Sequence, residues 1–343
     1  MDLDEDEATA EELLSKAQAG DGDAFRELTA PRRHELLVHC YRMLGSLQDA
    51  EYTVQETMLA AWQALPEFEV RSSLRTWLYT IATNRCLNAR RSIRRRPAKE
   101  WDVPGVQPPA PTRLGEVVWL EPLPDQLIGS GIGLPVGPEA RYEQRESISL
   151  AFITALQLLP PRQLAVLVLR DVLGFQASEA AGMLDTTIES VTSALKRARA
   201  TLQQHRAAAA EREVPPPTGS PAEEALVAQF VRAYESSDVD GLVALLTDDV
   251  FMSMPPMPFE YEGKQVVAEF WALLFGANRK YRLVPTRANG QPAFASYVRG
   301  PDERFHGSGL FVLTLAGTQI CALTRFENTT LPWFGLPRSL PNP

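Results

Sequence analysis

Between Arg71 and Lys99 the chain carries nine bases and no acid: Arg71, Arg75, Arg85, Arg90, Arg91, Arg94, Arg95, Arg96 and Lys99. Cations massed this way form a local footprint for a polyanion, although a solvated helix end would look similar. Interleaved with them are Trp77, an aromatic plane on which a base can stack, and Asn84, an amide suited to a base edge. A second cluster lies in TTIESVTSALKRARATLQQ, Thr186 to Gln204. There Ile188, Val191, Leu195, Ala198 and Leu202 recur at steps of three and four, the spacing of one apolar helix face. Ser190, Ser193, Lys196, Arg197 and Thr201 fall elsewhere on the cylinder and make a hydroxyl-rich, basic side. A helix of this kind, preceded by the short helix Ser178–Leu184 and a turn at Asp185-Thr186, fits a DNA major groove. An ordinary helical hairpin is the plain alternative. Thr186 with Glu189 three residues on reads as a capping box.

The elements that must hold these groups follow from the pattern. Helical spacing runs over Glu11–Ala19, Ala24–Leu44, Asp49–Ala64 and Ser73–Arg94, with breaks at Gly20-Asp21-Gly22, Gly45-Ser46 and Pro66. Residues 98–138 are rich in proline and are expected to be extended, without a core of their own. Helical periodicity returns over residues 139–207. The segment 208–221, ending VPPPTGSP, reads as a second linker. From Ala222 the grammar is α+β: helices at Glu223–Ser236, Asp240–Leu246 and Gly263–Phe275, then strands at Tyr281–Arg287, Ala293–Val298, Gly309–Leu315 and Gln319–Phe326. Asn289-Gly290 and Gly317-Thr318 sit at the hairpin turns. The expected divisions are a helical domain over 10–97, a linker over 98–138, and a helix-turn-helix domain over 139–207. A linker over 208–221, an α+β domain over 222–330 and a proline-rich tail over 331–343 complete them.

The net charge of −9 does not advertise a nucleic-acid binder; the distribution matters more, since Met1–Glu12 holds seven acids and no base while Arg71–Lys99 holds only bases. Cys40, Cys86 and Cys321 are scattered and odd in number, which points to a reducing cytoplasm and offers neither a disulfide frame nor a zinc site. No apolar run reaches membrane-spanning length, and the acidic start lacks the features of a signal peptide. No metal, cofactor, catalytic residue or membrane contact is expected.

Asp49-Ala50-Glu51, Val54-Gln55-Glu56-Thr57 and Ala61-Trp62 resemble the DAE…VQET…AW signature in region 2 of sigma-70 family RNA polymerase sigma factors. Leu74–Arg85 (LRTWLYTIATNR) resembles the promoter-melting part of that region. Leu159–Arg170 (LPPRQLAVLVLR), Gly174-Phe175 and the helix-turn-helix resemble region 4. Two such domains without a region 3 domain between them match the extracytoplasmic-function (ECF) group. The segment Trp119-Leu120-Glu121-Pro122-Leu123-Pro124-Asp125 is most similar to the sigma-G-like subfamily, and the C-terminal part resembles a SnoaL-like α+β cone. Tyr52 departs from the signature, where an acid is usual, and Asp185 stands where the turn usually has glycine; aspartate tolerates left-handed geometry.

The resemblance implies two all-α sigma domains followed by an α+β cone. It implies a factor that binds core RNA polymerase, recognises −10 and −35 promoter elements and starts transcription, the chemistry being the polymerase's. Asp49, Glu51, Gln55 and Glu56 would dock on the clamp coiled coil of the polymerase β′ subunit, and region 4 on the β flap. Arg75, Trp77, Asn84 and Arg85 would hold −10 DNA, with Asn84 the better base reader. Trp77 also fits a core role beside Ile81, as Leu59 and Trp62 fit the core. Arg90, Arg91 and Arg94 would hold phosphates. Ser190, Ser193, Lys196 and Arg197 would meet the −35 element, and Arg199 would touch phosphate or solvent there. In the linker, Glu116, Glu121 and Asp125 either mimic RNA charge or belong to a plain tether. Trp333-Phe334 would anchor the tail to a neighbouring domain. The cone would regulate the sigma domains by intramolecular contact. Two alternatives stay open: a ligand-binding or enzymatic C-terminal domain drawing on Asp248, Asp249, Tyr234, Tyr261, His306 and Glu260, or a stand-alone helix-turn-helix regulator.

Overall fold

The computed structural model describes residues 11–69, 72–93, 95–101, 107–129, 147–210, 212–276 and 279–341; side chains at 204–210 lie outside the description. The chain divides into two compact units. One comprises residues 1–96, 126–147 and 151–205, the other residues 97–125, 148–150 and 206–343.

In the first unit, α1 (Gly22–Leu44), α2 (Leu47–Ala64) and α3 (Leu74–Ile93) pack together. Asp21 caps α1 by accepting from the amides of Asp23 and Ala24. Gly45 ends it in left-handed backbone (φ 76°), its amide returning to the Tyr41 carbonyl. Ser46 then caps α2 through the Asp49 amide, so the Gly-Ser break is two caps back to back. Ser73 caps α3 through the Thr76 amide. Leu78, Ala82, Cys86, Arg90 and Ile93 recur on the buried side of α3.

Helices α4 (Leu150–Leu158) and α5 (Pro161–Leu167) follow, and α5 widens into a π-type turn over Val168–Val172. Then α6 (Ala177–Met183) and α7 (Ile188–Ala210) form the helix-turn-helix. Asp185 is left-handed there (φ 47°), as its residue type allows. The cap of α7 is Thr187, whose hydroxyl accepts from the Ser190 amide, one residue beyond the expected Thr186. The capping box forms instead at α6, between Gln176 and Glu179. Val191, Leu195, Ala198 and Leu202 are buried as the spacing predicts, but Ile188, the first residue of the helix, is exposed.

The second unit is one curved sheet in the order β1-β3-β2-β7-β6-β5-β4, with β8 paired to β6. The strands are β1 (Arg113–Leu114), β2 (Leu246–Ser253), β3 (Phe259–Glu262), β4 (Tyr281–Ala288), β5 (Gln291–Arg299), β6 (Phe305–Ala316), β7 (Gln319–Phe326) and β8 (Ser339–Leu340). All pairs are antiparallel except β2 with β7. Helices α8 (Pro221–Glu235), α9 (Val239–Ala244) and α10 (Lys264–Gly276) supply residues to one core with the sheet. Phe230, Tyr234 and Trp271 stand at its centre against Phe294 and Phe311. Asn289-Gly290 forms the β4–β5 turn with both φ values positive, the backbone that suits a two-residue hairpin.

Three expectations are corrected here. The proline-rich stretch is not a plain tether over residues 107–125. Its β1 is an edge strand on β3, Leu120 and Leu123 are buried, and Trp101 just before it packs edge-on to Phe270 at 5.9 Å. A segment unable to build its own core lends apolar groups to another, and composition does not see that. The tail belongs to the same unit: Phe334 is buried, and the Tyr297 hydroxyl donates to the Pro337 carbonyl at 2.8 Å. Strands β2 and β3 fell outside the expected strand set; Asp248-Asp249 lies inside β2 rather than closing a helix.

Candidate nucleic-acid interface

Helix α3 brings the basic run into order, and one side of it is occupied. The Arg75 guanidinium lies 4.5 Å from the centre of the Phe175 ring and 5.1 Å from that of Tyr79. Its Nη2 donates to the Leu173 carbonyl at 3.5 Å. Asn84 donates to the Met183 carbonyl of α6 at 3.4 Å. Tyr79 meets Phe175 edge-on at 5.4 Å, and burial pushes its hydroxyl up to about 12. Arg85 pairs with Glu56 at 3.0 Å. Trp77 is half-buried with its ring 4.7 Å from that of Phe68, so it contributes to packing.

Arg90 departs furthest from a phosphate clamp. Only 4% of it is exposed, and it donates to the carbonyls of Met43, Gln157 and Leu159 and to the Gln157 side chain. In this arrangement it serves the fold. The residue type and the basic run suggested a surface role; the acceptors come from segments 47 to 69 residues away and were invisible in sequence. Arg91 is exposed, Arg94 lies outside the described residues, and Arg96 makes a two-pronged ion pair with Asp49.

Helix α7 presents the opposite picture. Ser190, Ser193, Lys196 and Arg197 are all exposed on it. The Ser190 amide is taken up by the cap, and its hydroxyl accepts from Thr187 at 3.2 Å. Arg199 is held by Asp171 through two bonds of 2.7 and 2.8 Å, which fixes α7 to the turn after α5. Here the groups able to reach base edges face solvent.

The polar groups of α2 split in two. Asp49 and Glu56 are tied to Arg96 and Arg85, while Glu51 and Gln55 are exposed. Tyr52 and Leu59 stand out beside them, 64% and 53% exposed. Leu59 is therefore not core, contrary to expectation, whereas Trp62 packs at 5.2 Å on Phe25. Glu51, Val54 and Gln55 also line a cleft of about 420 Å³ with Ala30, Arg33, His34 and Leu37 of α1.

In the second unit the residues considered for acid–base work have structural partners. Asp249 is held low by the Thr247 hydroxyl and by Arg212, and Asp248 pairs with Lys264. His306 bonds Ser339 and Asp302, and Glu260 pairs with Arg113. The Tyr261 hydroxyl, raised by burial to about 12, donates to the Pro109 carbonyl.

The hairpin turn holds a polar cluster that sequence reading noticed only as a turn. Asn289, 1% exposed, exchanges backbone and side-chain bonds with Leu123 (2.8 and 2.9 Å) and donates to the Ile148 carbonyl at 2.7 Å. Asp125 accepts from the Gly290 amide and from Arg287, which also grips Glu223. Gln291 accepts from the Leu150 amide at 3.1 Å. Asp125 is thus engaged within its own unit and is not a free acid for mimicry of RNA.

Comparison with known proteins agrees with this division. Residues 32–96 match Sigma-70 region 2, residues 149–202 match Sigma-70, region 4, and residues 227–323 match the SnoaL-like domain. The chain is 44% identical over 328 residues to the ECF RNA polymerase sigma factor SigG of Mycobacterium tuberculosis (strain ATCC 25618 / H37Rv), covering 92% of this chain and 85% of that protein. It is 26% identical over 193 residues to the ECF RNA polymerase sigma factor SigW of Bacillus subtilis (strain 168), covering 56% of this chain and 93% of that one. The crystal structure of the M. tuberculosis extracytoplasmic function sigma factor SigJ shares the fold, with a TM-score of 0.58 at 22% identity over 91% of this chain and 99% of that one.

Proposed function

Because the chain belongs to the ECF RNA polymerase sigma factors, we propose that its helices α3 and α7 hold the −10 and −35 elements and that its SnoaL-like domain regulates that binding. The family membership makes it a transcription initiation factor that works with core RNA polymerase on promoter DNA. Arg75, Trp77, Asn84, Arg85 and Arg91 supply the −10 contacts, and Ser190, Ser193, Lys196 and Arg197 read the −35 element, with Arg199 beside them. Glu51, Gln55, Tyr52 and Leu59 offer an exposed stripe on α2 for the polymerase clamp, and Asp49 and Glu56 join it on release of their arginines. Region 4 meets the flap. The site of action is the cytoplasm, where the polymerase is.

The observation that carries the regulatory part is the Asn289 cluster. It ties residues 123–125 and 148–150, the two ends of the segment joining the sigma regions, to one hairpin turn of the SnoaL-like domain. Fixing both ends of a connector limits the separation of whatever it joins.

Abortive transcription with purified core polymerase, on a promoter taken from upstream of this protein's own gene, tests the whole reading. Full-length chain is compared with residues 1–217 and with Asn289→Ala. Initiation by the full chain supports the sigma reading, and a change of severalfold with Asn289→Ala supports regulation. Truncation alone is a blunter probe, since it also strips the sheet from Trp101, Leu120 and Leu123. Unchanged output from both altered forms would refute the regulatory part.

A further inference from the structure

One guanidinium in the first unit sits where two helices end. Arg90 Nη1 donates to the Met43 carbonyl in the last turn of α1 at 2.8 Å. Its Nη2 donates to the carbonyls of Gln157 and Leu159, where α4 ends, at 3.2 and 3.3 Å. Both helix C-termini carry orphan carbonyls and the negative end of the macrodipole, so a cation between them is favoured on both sides. The Gln157 side chain completes the joint. Its oxygen accepts from Arg90 and its amide donates to the Arg42 carbonyl at 3.3 Å. Arg42, buried and pulled down to about 10 by that burial, donates in turn to the Ser147 carbonyl and hydroxyl. Gly45 makes room for this contact: a Cβ there would lie 3.0 Å from the Gln157 side chain, besides the φ of 76°. These residues join the region 2 helices to the region 4 segment.

We propose that Arg90 is a toggle, its guanidinium held by the carbonyl ends of α1 and α4 in the free chain and by promoter phosphate once region 4 has moved away. The two states compete for one side chain. Carbonyl oxygens offer it partial charges, and a phosphate offers a full one, so DNA is a competitor that the joint can lose to. Closure of the joint also keeps Arg75 on Phe175 and Asn84 on Met183, so the covered side of α3 is released together with Arg90. Gln157 is the positioning residue: it sits on region 4, orients Arg90, and has no part in the DNA contacts assigned above. The inference rests on the assignment of α3 to promoter DNA.

The test uses the full chain, without polymerase, and a fluorescent 40-bp duplex with a central unpaired bubble, titrated by anisotropy over a range of salt. Gln157→Ala removes one of four acceptors that hold Arg90, the side-chain one, and leaves the three carbonyls. It is expected to tighten binding about threefold to tenfold and to steepen the log K against log salt slope by about one, the value for one further neutralised phosphate. Gln157→Glu strengthens the grip and is expected to weaken binding. Adding Arg90→Ala to Gln157→Ala should abolish the gain. Amide exchange over residues 40–46 and 155–160 reports whether the joint opened. Faster exchange with no gain in DNA affinity would overturn the toggle and the α3 assignment alike. Unchanged exchange and unchanged affinity would overturn the toggle alone. A gain that survives Arg90→Ala would assign it to another group and also overturn the proposal. Should Gln157→Ala unfold, the glutamate variant decides: weaker binding supports the toggle, and equal or tighter binding refutes it. Failure of the sigma reading itself would appear elsewhere, as absent initiation by the full chain with core polymerase.

Discussion

Helices α3 and α7 are the most basic of the described helices, and their polar groups are held differently. On α3 four of the polar groups that could meet DNA are bound, Arg75 to an aromatic pair, Asn84 to the Met183 carbonyl, Arg85 to Glu56 and Arg90 to helix ends, while Arg91 is exposed. On α7 Ser193, Lys196 and Arg197 stand in solvent. The difference teaches that a cationic residue is not a DNA contact by type. Electrostatic footprints tell where an anion is welcome, and the fold decides whether its own carbonyls arrive first.

The largest effect that would sharpen this contrast is on stability. Arg90→Ala strands buried carbonyls of three residues and a Gln157 side chain, and is expected to cost about 3 kcal/mol by urea denaturation. Arg197→Ala, on the exposed face, is expected to change stability by about 0.5 kcal/mol or less while lowering −35-dependent promoter binding. Equal stability losses at the two positions would break the comparison.

A second effect comes from His39, buried beneath α3. Its Nε2 meets the Thr83 hydroxyl at 3.0 Å and its ring lies edge-on to Tyr79. Burial, and then Arg42, pull its pKa to about 3. The unfolded chain binds a proton below about 6.5 that the folded chain refuses. Stability contributed by this site is therefore flat above about pH 6.5 and falls by about 1.4 kcal/mol for each pH unit from there towards 3. His39→Gln should flatten that part of the stability profile. A slope identical to the parent would show that the covered side of region 2 does not exclude the proton.

The smallest effect is at the base of α7. Asp171→Ala removes the two bonds to Arg199, an exposed pair, and should cost about 0.5 kcal/mol, less at high salt. A loss of several kcal/mol would mean that α7 too depends on a tertiary clamp, and the two helices would no longer differ in kind.

Much of the fold was legible. The Gly-Ser break, the apolar stripe of α7, the left-handed Asp185 and the Asn-Gly hairpin each state a local backbone preference that the surroundings did not overrule. Strand β2 was hidden because Asp248 and Asp249 look like a helix stop; both acids stand exposed where the ladder with β7 is irregular, between Leu246 and Phe251, while Val250 and Met252 go inward. Leu59 and Ile188 misled by periodicity alone: an apolar residue on the right stripe is buried only if something lies opposite. For the candidate interface, residue types were readable and their availability was not.

The amino-acid sequence by itself determined which helices are basic, where they begin and end, and that an α+β domain follows two helical ones. Those are local properties, set by spacing of three and four, caps, glycine and proline. The tertiary structure alone decided that Arg90 faces carbonyls, that residues 107–125 join a sheet more than 130 residues later in the chain, and that Asn289 holds two distant segments at once. Each depends on partners far apart in the chain. Their meeting is fixed by the packing of the whole core, to which no single segment carries a signal.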